Sequence, residues 1–565
     1  MTKLTTVWGE NLTGTPWEVY PRPQMRRDSY VNLNGLWNLR VLEKGAEAPV
    51  YDGSIRVPFC PESALSGVER HFSEGSTLHY SREFTLPEGF NRGRVLLHIG
   101  AADQILQCYV NGKEIGDHTG GYEAVVFDIT DVLAETNLLE LAVVDDLRDL
   151  SMPYGKQTMK RGGMWYTPVS GIWQTVWLES VPERYIRGLN IENRGGSVTI
   201  DTGDAAMQGT VTVAGLGEFP LVGGKVTITP EQPHYWSPED PYLYEFTVTV
   251  GEDRVESYFA LRTLEIKTVD GLPRLCLNGK PYFFHGLLDQ GYWPDGLFTP
   301  GAPEAYGWDI LEMKRLGFNT LRKHIKVEPE EFYYQCDRLG MIVWQDMVNN
   351  GDYSFVRDTA LPTVGVQVLP DRGMHRDEKC RRVFLAGMES TVKQLRNHPC
   401  ICYWTIFNEA WGQFDADRVC DVLRKLDDTR FIDATSGWFR RKNTDVDSRH
   451  VYFRRLKLQA GEKPLVVSEF GGYSCKIMEH SFNLEKTYGY GKFTELASFE
   501  SALESLYLDQ VLPLIPLGLC GIIYTQVSDV EDETNGLVTY DRKVTKADPE
   551  KMTAIAKLLW QAINA

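Results

Sequence analysis

Two glutamates each end a short apolar run of the sequence. Glu409 closes the run CICYWTIFNE, and Glu469 is the penultimate residue of the run PLVVSEF. A buried carboxylate without a partner is unfavourable by several kcal/mol, so these positions require a functional reason. Two carboxylates on either side of one glycosidic bond can cleave it, because one protonates the leaving oxygen while the other acts on the opposite face of the sugar. The aromatic neighbours of Glu409 favour its protonated form, and the polar sequence around Glu469 favours an ionised carboxylate. The pattern predicts Glu409 as acid/base and Glu469 as nucleophile.

Alternating strands and helices should position these glutamates. From about residue 265, short apolar runs alternate with helical stretches, which is typical of a (β/α)8 TIM barrel over residues 265–565. The eight candidate strands are 281–288, 317–325, 340–346, 400–409, 430–436, 448–453, 464–470 and 520–527. The candidate helices are 303–316, 328–338, 376–397, 415–427, 494–510 and 548–563. Because strands four and seven are nearly opposite in such a ring, we expect the glutamates to converge at its C-terminal mouth.

Several other predicted strands also end in polar residues. They include Arg322, His324, Asp346 and Gln526, and catalytic sites of these barrels lie at the strand ends. Asp346 is a third carboxylate at the mouth, although such a residue more often orients its neighbours. The basic residues 322–326 either bind an anionic sugar or pair with Glu328, Glu330 and Glu331; we favour pairing. The long segment 347–375 is expected to form a lid or a pocket wall.

Two β domains are predicted before the barrel. Residues 1–180 contain short alternating runs with turn signals, including the hairpin dipeptide Asn111-Gly112, and this pattern is typical of a jelly roll. Residues 181–264 contain enough short strands for a small immunoglobulin-like sandwich. The expected architecture is therefore a jelly roll, an immunoglobulin-like β-sandwich and a TIM barrel.

Composition excludes several classes of partner. The 565 residues carry a net charge of −18, which argues against nucleic acid and against anionic membranes. The N-terminus lacks an apolar signal-peptide core, so we expect a cytoplasmic protein. Its ten cysteines show no paired spacing and should be reduced thiols. No metal-ligand cluster is visible in the sequence, and we expect neither a metal ion nor a cofactor.

Four segments resemble glycoside hydrolase family 2, the group of β-galactosidases, β-glucuronidases and β-mannosidases. NHPCICYWTIFNEAWGQ (397–413) resembles the acid/base signature, and PLVVSEFGG (464–472) resembles the nucleophile strand. WYTPVSGIWQTVWLE (165–179) and WSPEDPYLYEFTV (236–248) are similar to signatures of the accessory domains. The resemblance covers nearly the whole chain and implies retention of anomeric configuration. Relatives often assemble, so a homo-oligomer is compatible with it.

The resemblance also implies roles for residues at the mouth. Asn408 would bind the sugar 2-hydroxyl, a contact that strengthens in the transition state. His324 would be the pocket histidine, although its register is open, and Tyr452 would be the pocket tyrosine. Trp411, Trp438 and Trp344 are candidate platforms for the sugar, with core packing equally compatible for each.

The sugar itself is not defined by the sequence. β-Glucuronidases carry an Asn-x-Lys pair near the last strand, whereas the matching region here has Glu533 and Asn535. This acidic loop argues against glucuronides, and an exo-acting β-galactosidase is the first expectation. The alternatives are a β-glycosidase for glucuronides or galacturonides, a β-mannosidase, or a catalytically inactive carbohydrate-binding relative. An aldolase-like enzyme that uses Lys323 is the most distant alternative.

Overall fold

Three units follow one another in the chain. The computed structural model describes residues 3–363, 365, 366 and 370–565. The first unit consists mainly of two antiparallel sheets that enclose an apolar core. The six-stranded sheet has the order Tyr51–Val57, Gly35–Leu42, Thr77–Phe84, Asn137–Val144, Ile105–Val110 and Lys113–Thr119. The four-stranded sheet has the order Val31–Asn32, Val176–Val181, Arg94–Ile99 and Val125–Asp128, and Ala102–Asp103 pairs with Gly171–Ile172.

The predicted hairpin turn lies in the six-stranded sheet. Asn111 and Gly112 connect Ile105–Val110 to its antiparallel neighbour Lys113–Thr119. Both turn residues have positive φ angles, 53° and 73°. A two-residue turn of this kind matches the twist of the strands that it joins, and asparagine and glycine tolerate it best.

The second unit is a smaller β-sandwich. Its three-stranded sheet contains Asn190–Arg194, Ser197–Asp201 and Lys225–Ile228. Its four-stranded sheet contains Gly217–Leu221, Gly209–Val213, Tyr244–Val250 and Asp253–Phe259. Alternate side chains of these strands point inward and form a separate apolar core. Three short antiparallel strands, Leu264–Val269, Leu272–Leu277 and Lys280–Pro281, lead into the third unit.

The third unit is the predicted TIM barrel. Its eight parallel strands are β1 (Phe284–Asp289), β2 (Thr320–Lys323), β3 (Ile342–Asp346), β4 (Ile401–Asn408), β5 (Phe431–Ser436), β6 (Asp447–Val451), β7 (Leu465–Phe470) and β8 (Leu519–Tyr524). They pair in the order β5-β4-β3-β2-β1-β8-β7-β6, so among the described residues only the β5–β6 seam lacks a hydrogen-bonded ladder. The sequence prediction of eight strands is confirmed.

Helices surround the barrel where the sequence predicts them. The longer ones are Glu304–Arg315, Glu330–Leu339, Glu378–Leu395, Ala416–Leu426, Leu496–Leu506 and Pro549–Ile563. Shorter helical turns are Val7–Glu10, Ala64–Ser66, Thr130–Val132, Phe355–Ala360, Leu361–Thr363, Met478–His480, Tyr507–Val511 and Leu512–Leu517. The β5–β6 and β6–β7 connections contain no helix, as their short lengths predict.

The barrel interior accounts for one of the candidate tryptophans. Trp344 on β3 is fully buried, and its ring stacks on Tyr403 of β4 with centroids 4.1 Å apart. Phe284 of β1 packs on it as well. A parallel barrel strand is covered on both faces, so an aromatic residue there belongs to the core. The prediction of Trp344 as a sugar platform is therefore wrong.

Two predictions from composition can be compared with the fold. All ten cysteines are unpaired, and nine of them are buried. Across the described ranges, no helix is both long enough and apolar enough to cross a membrane. The precise domain boundaries at residues 180 and 264 stay predictions.

Candidate active site

The two glutamates meet at the C-terminal mouth of the barrel. Glu409 follows β4, and Glu469 lies near the end of β7. One carboxylate oxygen from each and a ring nitrogen of His450 lie within 4.8 Å of one another. The side chains are 14% and 7% exposed, respectively. The geometry therefore brings the two carboxylates to one small space that solvent can still reach.

The backbone bends sharply where Glu409 leaves its strand. Glu409 and Ala410 both adopt left-handed conformations, with φ angles of 49° and 66°. The amide of Glu409 donates a hydrogen bond to the Ser436 carbonyl of the neighbouring strand at 2.9 Å. Each such conformation is unfavourable by about 1–3 kcal/mol and persists where the surroundings impose it, often at functional sites. The bend directs the Glu409 side chain to the mouth.

Arg322 is the central cation of the site. Its fully buried guanidinium forms two hydrogen bonds to Asp346, at 3.0 and 2.9 Å. It also donates to Glu469 Oε1 at 3.0 Å and to Asn408 Oδ1 at 2.8 Å. A planar guanidinium suits this arrangement, because its five N–H groups can contact several acceptors at fixed angles. Arg322 thus orients the groups around the proposed nucleophile.

The surroundings of Glu469 favour its ionised form. Burial alone would raise the pKa of Glu469, but its interactions with His450 and Arg322 hold that pKa well below its ordinary value. Tyr452 adds a hydrogen bond from its hydroxyl to Oε2 at 2.5 Å. Charge-assisted donors of this kind stabilise the carboxylate over the acid. An ionised carboxylate beside a sugar is the form that a nucleophile requires.

Asp346 is held between Arg322 and His324. Its oxygens accept from Arg322 and contact His324 Nδ1 at 2.9 Å. Burial opposes ionisation of Asp346, but Arg322 keeps its pKa lowered, and burial also lowers the pKa of His324. The structure therefore places His324 and Asp346 beside the two glutamates, and Asp346 fixes the orientation of the imidazole.

His450 joins the two glutamates, and the sequence analysis did not identify it. Nδ1 lies 2.8 Å from Glu409 Oε1 and 3.5 Å from Glu469 Oε2. The other ring nitrogen lies 2.9 Å from the hydroxyl of Ser436. The signal in the sequence is the histidine at the end of β6, in SRHVYF. The donor atoms of the three residues are close enough for one cation, yet Arg322 and Tyr452 already satisfy the Glu469 oxygens.

The remaining candidate residues divide into two groups. Tyr452 contacts Glu469 and stacks on Tyr490, and half-buried Trp438 approaches His450 edge-on at 5.5 Å. Trp411 and Gln526 are buried, at 1% and 0% exposure. Trp165 stacks on Trp411 at 5.3 Å, so Trp411 lacks the open face that sugar stacking needs.

Gln526 is likewise removed from direct contact. Gln290 donates to its amide oxygen at 2.7 Å, and its amide nitrogen donates to Glu533 at 2.7 Å and Asn535 at 3.0 Å. All of these contacts are internal, so Gln526 positions Glu533 and has no surface for a substrate. The expectation that Trp411 and Gln526 contact sugar is not supported by their burial.

The basic residues after β2 pair with acidic neighbours. Lys323 donates to Asp289 at 2.6 Å and to Glu328 at 2.9 Å. Lys326 also donates to Glu328, at 2.9 Å. The favoured interpretation, internal pairing, is confirmed for Glu328. Glu330 and Glu331 take no part in it, because they begin the following helix.

The jelly roll contributes one wall of the pocket. Its segment 145–170 lies over the barrel mouth, where the Tyr154 amide donates to the Asn349 carbonyl at 3.1 Å. Further along, the Tyr166 hydroxyl donates to Glu533 at 2.5 Å, and the Thr167 amide donates to Glu531 at 2.8 Å. The segment 145–170 therefore contacts the barrel loop that follows β3 and the loop that follows β8. The sequence analysis did not predict these contacts. The length of the segment without a strand pattern was the available signal.

The barrel segment 347–375 contributes to the same wall. Tyr353 packs edge-on against Trp411 at 5.6 Å and against Trp165 at 5.1 Å. This agrees with the expectation of a pocket wall for the part that includes Tyr353. Positions 364 and 367–369 of the segment lie outside the described residues.

Comparisons with known proteins identify the family to which the three domains belong. The sequence matches the sugar binding domain of the glycosyl hydrolases family 2 over residues 18–182, the family 2 model over 187–262 and the family's TIM barrel domain over 270–475. A β-galactosidase of Thermoanaerobacter pseudethanolicus is 24% identical over 382 residues, covering 62% of this chain and 47% of that protein. A β-glucuronidase of Felis catus is 25% identical over 454 residues, covering 69% and 65%.

A solved structure extends the likeness over the full architecture. The β-galacturonidase of Eisenbergiella tayi, bound to galacturonate, superposes with a TM-score of 0.67 and 18% identity, covering 96% of this chain and 99% of that one. The chain spans about half to two thirds of the length of the two sequence relatives. Because all three domain models match in the order that the fold displays, the chain belongs to glycoside hydrolase family 2.

Proposed function

We propose that the protein is an exo-acting β-glycosidase that retains anomeric configuration. The observation that carries this proposal is the approach of the Glu409 and Glu469 carboxylate oxygens to within 4.8 Å. Retaining enzymes hold their carboxyl groups about 5–5.5 Å apart, whereas inverting enzymes leave about 6.5–9.5 Å for a water molecule. The shorter class matches this site.

The environments of the two glutamates support different proposed roles. Glu469 is held ionised by Arg322 and Tyr452, so it attacks the anomeric carbon. Glu409 has His450 as its only described side-chain partner and protonates the leaving oxygen. In the second step, Glu409 takes a proton from water, which cleaves the glycosyl–Glu469 bond and restores both groups.

Asn408 assists at the sugar ring. Its amide oxygen accepts from Arg322, so the amide nitrogen remains to donate to the 2-hydroxyl. The Arg322 contact fixes which end of the amide faces the substrate. A hydrogen bond at this hydroxyl strengthens as positive charge develops on the ring.

For the sugar, we propose a β-uronide ahead of a β-galactoside. The first expectation from sequence was a β-galactoside, but the similar proteins include a β-glucuronidase and a β-galacturonidase as well as a β-galactosidase. The internal pairing of Lys323 and Lys326 removes them from substrate recognition. An anionic sugar must therefore be bound by a cation from another part of the pocket.

Turnover of nitrophenyl glycosides tests the proposed reaction. The panel contains the β-galactoside, β-glucuronide, β-galacturonide and β-mannoside, and NMR identifies the first-formed anomer. Glu469→Gln should abolish turnover. Glu409→Gln should reduce hydrolysis of substrates with poor leaving groups most, because good leaving groups need little protonation. An inverted first product, or full activity of Glu469→Gln, would exclude this mechanism, and a wild type that turns over no glycoside would favour a carbohydrate-binding relative.

A further inference from the structure

A buried lysine of the jelly roll reaches the barrel mouth. Lys156 lies in the segment 145–170 and is only 8% exposed. Its ammonium group lies 5.0 Å from the ring centroid of Trp411 and 5.9 Å from that of Tyr166. The ammonium group thus lies between Trp411, which follows β4 of the barrel, and Tyr166 of the jelly roll.

The backbone around Lys156 is fixed by close contacts with the barrel. Gly155 has a φ of 60°, and a side-chain carbon there would lie 2.9 Å from the carbonyl oxygen of Ile325. The amide of Gly351 donates to the Leu150 carbonyl at 2.7 Å, from the barrel to the same segment. Only glycine combines this conformation with this approach. These contacts anchor the segment that carries Lys156 to the barrel mouth.

Lys156 differs from the cations beside it. Arg161, Arg322, Lys323 and Lys326 each lie within 3.2 Å of a carboxylate oxygen. Among the described residues, no side chain or carbonyl accepts a hydrogen bond from the Lys156 ammonium, which lies against the rings of Trp411 and Tyr166. An ammonium group without a protein acceptor can donate its hydrogen bonds to a ligand that supplies one. Its donors are thus available to a bound anion.

We propose that Lys156 binds the carboxylate of a β-linked uronic acid and determines the preference for uronides over neutral sugars. The proposal rests on the proposed glycosidase function for the position of the sugar. It assigns substrate recognition to the jelly roll, while the barrel supplies the proposed catalytic pair. A carboxylate complements an ammonium group because the two form charge-assisted hydrogen bonds.

Glu533 is the group that opposes this assignment. It follows β8, near enough for Lys156 to influence its ionisation. Burial raises the pKa of Glu533 more than Lys156 lowers it, and both described donors, Tyr166 and Gln526, bond to Oε2. A neutral Glu533 does not repel a substrate carboxylate. An ionised Glu533 would instead compete with the substrate carboxylate for Lys156. The experiment below distinguishes a neutral from an ionised Glu533.

The test replaces Lys156 with methionine, which keeps the length of the side chain and removes its charge. The matched control is Lys160→Met, an exposed lysine of the same segment. We expect Lys156→Met to lower kcat/KM for nitrophenyl β-glucuronide or β-galacturonide by roughly ten- to a hundred-fold, as for loss of a hydrogen bond to a charged group. The galactoside and glucoside should change by less than about threefold, and the control should match wild type on all substrates. Lys156→Arg should recover part of the uronide activity.

Two outcomes would overturn the assignment. Equal losses on charged and neutral substrates would show that Lys156 supports the pocket structurally through Trp411 and Tyr166. A wild type that prefers neutral sugars, with no uronide-specific effect of Lys156→Met, would show that Glu533 holds the ammonium.

A binding measurement distinguishes failure of this assignment from failure of the proposed function. Calorimetry compares free glucuronate and galacturonate with galactose on wild type and Lys156→Met. If wild type turns over no glycoside, the glycosidase proposal fails, yet uronate binding that depends on Lys156 would still support the assignment. Binding that is the same in both proteins would refute it.

Discussion

Replacing Arg322 with methionine should destabilise the barrel and disable the site together. The change leaves Asp346 and Glu469 buried without their shared cation. Removing one partner of a buried ion pair destabilises a protein by about 3–5 kcal/mol. At roughly 2–3 °C per kcal/mol for a domain of this size, the unfolding midpoint near neutral pH should fall by roughly 6–15 °C. Calorimetry or circular dichroism measures this shift.

The pH dependence of the deficit has a defined sign. In the wild type, Arg322 lowers the pKa of Asp346 and contributes to lowering that of Glu469. These carboxylates therefore contribute full stability above their ordinary values of 3.8 and 4.5 and lose it as the pH falls below them. Without the cation, burial raises both pKa values. The deficit of Arg322→Met should therefore be largest above about pH 7 and shrink as the variant takes up protons toward about pH 5.

Two further variants make the argument specific to this ion pair. Arg315→Met removes a solvent-exposed arginine that pairs with Glu312, and it should change stability by less than about 1 kcal/mol. Arg322→Lys keeps the charge but cannot reach Asp346, Asn408 and Glu469 at once, so it should restore stability better than activity. A wild-type melting temperature for Arg322→Met, or a deficit that grows toward acidic pH, would refute the reasoning.

The remaining predictions concern the nucleophile and the tryptophans. Tyr452→Phe removes the 2.5 Å hydrogen bond to Glu469 and so raises the pKa of that carboxylate; the acid limb of the kcat/KM profile should move to higher pH, and an unchanged limb would contradict the contact. Trp344→Ala should lower the free energy of unfolding by about 3–5 kcal/mol because it opens a cavity in the barrel core. Trp438→Ala should mainly raise KM. If denaturant unfolding showed that Trp344→Ala and Trp438→Ala lose comparable stability, the assignment of Trp344 to the core and of Trp438 to the mouth would be contradicted.

The barrel could be predicted because its signals are local. Most strands are short apolar runs, several of which end in polar residues, and the long helices have their own periodicity. The strand order therefore predicted that Glu409 and Glu469 approach each other, as they do in the structure. The tryptophans were ambiguous for a physical reason. In a parallel strand buried on both faces, alternation no longer indicates direction, so the sequence of β3 does not show whether Trp344 faces the core or the mouth. Trp438 follows β5, where no periodicity indicates the direction of a side chain.

The residues that sequence reasoning missed depend on contacts between distant segments. His450 acquires its role only when β6 closes beside β7 and meets Glu409 across the seam. Lys156 acquires its position only when the jelly-roll segment docks on the barrel, through hydrogen bonds such as that from Tyr154 to Asn349. Periodicity and turn signals carry no information about such docking. Lys323 and Lys326 were visible in the sequence, but Asp289, which pairs with Lys323, ends another strand.

The cations at the barrel strand ends are already paired with carboxylates, so the proposed recognition of an anionic sugar requires a different cation. Arg322 is neutralised by Asp346 and Glu469, and it cannot serve a charged substrate without releasing the proposed nucleophile. Lys323 and Lys326 are likewise engaged by acidic neighbours within the barrel. A cation for the proposed anionic sugar would therefore come from outside these strand ends, and the segment 145–170 carries one in Lys156. Substitutions in that segment should consequently alter sugar preference while the spacing of the two glutamates, which the barrel strands fix, is retained.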